Sequence, residues 1–118
     1  MKLSIRNIPG TPLDVALIGH IERRAEFALA GVRAHVRQVQ VGLQEVPGLR
    51  GAADTRCQVQ LVLGDEAPLV VTETSSDELA AVNRALSVAG HLATRRVAHR
   101  SRHQITKVAS GHASAHAV

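Results

Sequence analysis

Strict alternation of apolar residues with glutamine over two neighbouring stretches constrains this chain more than any other feature. In VRQVQVGLQE (36–45), Val39, Val41 and Leu43 fall on one side, and Gln38, Gln40 and Gln44 on the other. In TRCQVQLVLG (55–64), Cys57, Val59, Leu61 and Leu63 share a side opposite Gln58 and Gln60. A period of two marks a half-buried strand, packed on one face and wet on the other. The link between the stretches holds Pro47, Gly48 and Gly51, and Gly64-Asp65-Glu66 makes a tighter turn into a further strand at roughly 68–74. Connections this short leave no room for crossovers, so these three strands are expected to be antiparallel.

Residues 2–8 alternate as well, with Leu3 and Ile5 opposite Lys2, Ser4 and Arg6, and Pro9-Gly10 ends that strand. A helix is then predicted with Thr11 as its N-cap, Pro12 in its first turn, Asp14 at the positive end of its dipole and Gly31 as its stop. Its apolar face is Leu17, Ile18, Ile21, Ala25, Ala28 and Leu29, with His20, Arg23, Arg24 and Phe27 opposite. A second helix follows Ser75-Ser76-Asp77, with Leu79, Val82, Leu86, Ala89, Ala93 and Val97 in one stripe. Residues 104–118 are rich in Ala, Ser and His, with little to bury, and are expected to be a disordered tail behind a domain of residues 1–103. The element order is thus β-α-β-β-β-α. An α+β fold follows, a four-stranded sheet with both helices packed on one face and glutamine paving the other.

Length and composition narrow the setting. The 118 residues make one domain, and the single cysteine excludes an internal disulfide and suits a reducing compartment. Lys2, Arg6 and Asn7 interrupt any secretory core, and no apolar run is long enough for a membrane span, so a cytoplasmic protein without a membrane partner is expected. Phe27 is the one aromatic residue of its kind, with no Tyr and no Trp, which excludes the multi-aromatic platforms that stack single-stranded bases.

The net charge of +4 is unevenly placed. Through Glu78 the chain carries eight basic and ten acidic residues, whereas 79–118 carries six basic residues and no acid. Such asymmetry points to an anionic partner. On the second helix, Arg84, His91, Arg95 and Arg102 are spaced by seven, four and seven, which places them within about 40° of one another at 100° per residue, opposite the apolar stripe. Arg96 and Arg100 flank that stripe and join the ridge as candidate contacts to that anionic partner. The absence of intervening acids, and arginine in place of lysine, separate this ridge from an ordinary solvated face, because the planar guanidinium fork suits phosphate.

Other chemistry is thinly represented. His99 and His103, like His112 and His116, are four apart, but no second cysteine or nearby carboxylate completes a metal set, so no metal site and no cofactor are expected. Cys57 lies on the packed side of its strand and reads as a small hydrophobe. Asp65 and Glu66 read as turn residues, and nothing argues for an enzyme or a small-molecule substrate.

The start of the second helix, Asp77-Glu78-Leu79-Ala80-Ala81-Val82-Asn83, resembles the D-x-aromatic-A-A-I-D signature of the ribosome hibernation-promoting factors, or ribosome-associated translation inhibitors. Leu79 stands where that family has an aromatic, and Asn83 where it has an acid. Element order and lengths over about residues 1–100 are similar to its short type. The resemblance implies a double-stranded-RNA-binding-domain-like fold that docks on ribosomal RNA of the small subunit. It further implies occlusion of the channel for messenger and transfer RNA under stress. Basic family positions carry over to Arg84, His91, Arg95 and Arg96, and to Arg23 and Arg24 on the first helix. Gln44, Val88 and Val97 stand where family members often carry a cation.

Two readings of other classes stay open. One is a diverged protein-interaction or dimerising module that uses the open face of Gln38, Gln40, Gln44, Gln58 and Gln60, since uncharged polar faces suit wet interfaces. The other is a metal or pH sensor built on the histidine tail. The ribosomal reading expects a chain that is monomeric when free.

Overall fold

The structure of the chain, a computed structural model, describes residues 1–8, 13–49 and 51–113, with the backbone alone for 8 and 101–113. Strand β1 (Lys2–Ile8) leads into helix α1 (Val15–Ala28), a 3-10 helix (Ala30–His35), and strands β2 (Val36–Pro47), β3 (Ala53–Leu63) and β4 (Leu69–Ser75). Helix α2 (Glu78–Ala113) follows β4. The sheet order is β1-β2-β3-β4. β1 runs parallel to β2, the crossover through α1 making that possible, while β2–β3 and β3–β4 are antiparallel. The fold is α+β, as the alternation and the helical stripes require.

One core holds the layers together. The packed side of the sheet contributes Val39, Val41, Leu43, Cys57, Val59, Leu61, Leu63 and Val71, facing Leu17, Ile21 and Ala25 of α1 and Val82, Leu86, Ala89 and Ala93 of α2. Apart from Val71, whose strand was given no facing in the sequence, each of these lies on the side that its period assigned to it. Val36 is also buried, although it is three residues from Val39 and would point outward in a regular strand. A register shift between Val36 and Gln38 turns it inward and leaves Arg37 outside the ladder.

Several boundaries differ from expectation. Helix α1 begins after Asp14, which occupies the N-cap in extended conformation, while Thr11 and Pro12 lie outside the described residues. It ends at Ala28 with Leu29 as its C-cap, rather than running to Gly31, because the backbone tightens into the 3-10 helix and buries Val32. Leu79 is 43% exposed, since the first turn of α2 stands clear of the sheet and Ala81 takes the buried position. Where the sequence suggests a tail from 104, the α2 backbone continues to Ala113, and 114–118 lie outside the described residues. Among the described residues no helix is long and apolar enough to cross a membrane.

Candidate nucleic-acid interface

Burying Ala81, Val82, Ala85, Leu86, Ala89 and Ala93 fixes which side of α2 is left to water. Arg84, His91 and Arg95 stand exposed on that side, with Val88 half-buried against the core between them. Arg84, His91 and Arg95 have no hydrogen bond or ion pair among the described residues. His91 leans toward α1, while Arg95 lines a groove of about 560 Å³ with Leu69, Leu92 and Arg96 on the β4 side. The ridge is therefore a crest between two grooves. Arg102 lies on the same helix, with its side chain outside the described residues.

Arg96 and Arg100 are differently employed. Arg96 donates from Nη1 to the Ala67 carbonyl at 2.7 Å, and its Nε lies 3.7 Å from Glu66 Oε1. Arg100 Nε lies 3.5 Å from Glu66 Oε2. Glu66 Oε1 is buried without a hydrogen bond, so its pairing with Arg96 is electrostatic, beyond bonding distance. On the other side of the same turn, Arg37 donates to the Gly64 carbonyl at 3.2 Å and sits 3.7 Å from Asp65. Gly64 takes φ +59, the left-handed conformation that lets the turn close. Asp65 and Glu66 are thus the carboxylates on which three arginines converge. The sequence placed Arg96 and Arg100 with the anion-facing cations; the structure commits them first to the β3–β4 turn.

On α1, Arg23 is exposed with no ion pair among the described residues, and its guanidinium lies back over Gly19. Arg24 is half-buried, its guanidinium carbon 5.4 Å from the centre of the Phe27 ring. Phe27 is exposed on α1. His20 and Asn83 join the two helices through a 2.8 Å hydrogen bond. Further along, Gly90 comes so close to α1 that a Cβ there would stand 2.4 Å from the Ala28 carbonyl oxygen. Arg33, by contrast, is paired with Glu26.

The open sheet face is more basic than its glutamines suggest. Register places Lys2 beside Gln38, Arg6 beside Gly42, and Arg56 between Gln44 and Thr74. Ser4, Arg6, Gln40, Gln58 and Gln60 surround a dimple of about 120 Å³ at Gly42. Cys57 is buried, and burial pushes its thiol up to about 12. Among the described residues no cluster of His, Cys, Asp or Glu has the makings of a metal site; the 112/116 histidine pair lies outside the described side chains.

No protein-family model matches the chain, and no curated protein matches its sequence. Its fold is nevertheless that of known proteins. A ribosomal subunit interface protein from Coxiella burnetii superposes with a TM-score of 0.70 at 11% identity, over 83% of this chain and 99% of that one. The N-terminal domain of Protein Y from Thermus thermophilus superposes with a TM-score of 0.63 at 19% identity, over 80% of this chain and 98% of that one. The fold implied by the Asp77–Asn83 motif is the fold found.

Proposed function

We propose that this chain binds the small ribosomal subunit through ribosomal RNA and silences translation under stress by filling the channel for messenger and transfer RNA. The observation that carries the reading is the division of labour among the helical cations. Arg33, Arg96 and Arg100 are tied to carboxylates, whereas Arg23, Arg84, His91 and Arg95 are not, among the described residues, and all four of these face water. Uncommitted cations projecting from a rigid helix pair suit the phosphates of folded RNA, which present a shape rather than a line of bases. The likeness to a ribosomal subunit interface protein supports the same partner. Occlusion is steric and asks for no catalytic group or cofactor. A cytoplasmic location comes with the reading.

The sheet face favours this reading over self-association. Lys2, Arg6 and Arg56 outnumber Asp54 on this face, a net positive surface that suits an anionic partner better than a second copy of itself.

The test is direct. Purified protein is sedimented with isolated small and large ribosomal subunits and added to a cell-free translation reaction. The reading expects co-sedimentation with small subunits, loss of translation at similar concentrations, and relief by excess messenger and transfer RNA. Protein that stays at the top of the gradient and leaves translation untouched would overturn it.

A further inference from the structure

Phe27 is 74% exposed on α1, although it is the chain's one Phe and there is no Tyr or Trp. It borders a notch of about 240 Å³ between the helices, shared with Arg24 and, across it, Ser87, Gly90, His91 and Thr94 of α2. Thr94 donates its hydroxyl to the Gly90 carbonyl, so its hydrogen is already used. Arg24 caps one side of the ring, and its Nε is buried with no hydrogen-bond partner among the described residues. No carboxylate pairs with this guanidinium among the described residues, so its charge is left for an incoming anion. None of the other strongly exposed large apolar residues (Val15, Leu49, Val70, Leu79) lines the notch. The ring thus stands beside a guanidinium, an imidazole and two hydroxyl side chains, which is poor chemistry for an apolar protein partner. An aromatic face beside two groups that bind phosphate matches a base with its own phosphate.

We propose that the notch between α1 and α2 takes a single unstacked nucleotide of RNA, its base on the Phe27 ring and its phosphate against Arg24 and His91. This rests on the RNA-binding reading of the helical face and adds to it a point of local shape recognition. One aromatic makes no platform for a run of single-stranded bases. It does make a clamp for one base already flipped out of a duplex, where the unstacking has been paid for by the RNA's own fold. Stacking of one base changes affinity by roughly 10- to 100-fold.

The experiment compares two RNA hairpins of equal charge, one fully paired and one carrying a single bulged adenosine. Because Phe27 has no aromatic rival except histidine, its ring protons are read directly by NMR. The bulged hairpin should move them upfield and bind roughly 10- to 100-fold tighter than the paired one. Phe27→Leu keeps an exposed side chain of similar bulk, so folding is preserved, and it should erase the preference while leaving affinity for the paired hairpin and its salt dependence unchanged. Equal binding of the two hairpins, ring protons that do not move, or a preference that survives in Phe27→Leu would each overturn the proposal. A wild-type chain that ignores ribosomal subunits yet prefers the bulged hairpin would sink the ribosomal reading and leave the notch standing.

Discussion

Arg95 and Arg96 are adjacent in sequence and have opposite tasks. Arg96 closes over the β3–β4 turn through Ala67 and Glu66, whereas Arg95 makes no ion pair among the described residues. Nothing local in the sequence distinguishes them, because the deciding partner, Glu66, lies about thirty residues earlier and reaches α2 only when the sheet has formed. Arg96→Ala should therefore lower stability by about 1 kcal/mol, the sum of a charge-assisted bond to a carbonyl and a half-exposed ion pair. Arg95→Ala should stay within about 0.5 kcal/mol of wild type in urea unfolding. Equal losses in both would contradict the division of labour. Cys57 provides a second check at this scale. Its thiol is held protonated to about 12, so deprotonation near its ordinary value of 9.0 belongs to the unfolded chain alone. This group's contribution to stability is complete below pH about 9 and is lost as pH rises from there toward 12. Cys57→Ala should flatten that part of the stability profile, and native Cys57 should react with a thiol reagent only at the rate of unfolding.

At the scale of elements, the strands were legible because Val and Gln alternate through them, and the helices because their apolar stripes are long. What the pattern did not reveal came from backbone adjustments. The shift at Arg37 that turns Val36 inward breaks the period, and the 3-10 helix that buries Val32 has too few residues to display one. The contact between helices was invisible for another reason. Gly90 sits in a helix that offers no sequence signal for what it faces, yet a methyl group there would meet the Ala28 carbonyl oxygen at 2.4 Å. Gly19 offers the contrast, since a methyl there meets only the mobile end of Arg23 at 3.2 Å. Alanine in place of a helical glycine gains up to about 1 kcal/mol of propensity. Gly19→Ala should keep most of that gain. Gly90→Ala must push the helices apart, and an overpacking penalty of about 1–3 kcal/mol outweighs the gain. Thermal unfolding of the two variants should show shifts of opposite sign. The same close approach shapes the notch beside Phe27, so Gly90→Ala should also disturb RNA binding there.

For the whole molecule, the fold was within reach of the sequence, and the candidate face only partly so. A helical wheel finds Arg84, His91 and Arg95, but not that Phe27 and Arg24 meet His91 across a notch. It does not find the cations on the sheet face either, since these assemble from β1 and β3, more than forty residues apart. Those cations lead to an expectation for assembly: the purified chain should run as a monomer at micromolar concentration in sedimentation equilibrium. A stable dimer that Arg6→Glu strengthens would point to the sheet face as an interface between copies.

If uncommitted helical cations hold the chain on ribosomal RNA, its binding to small subunits must weaken steeply as salt rises. Each phosphate contact contributes about 0.7–0.9 to the slope of log affinity against log salt, so about four contacts predict a slope near −3. The Arg23→Glu, Arg84→Glu, Arg95→Glu triple variant removes only side chains without an internal ion pair among the described residues. It should keep the wild-type melting curve, lose most of its affinity for small subunits, and show a slope of about −1 or shallower. A triple variant that binds with wild-type affinity and an unchanged slope would contradict the account.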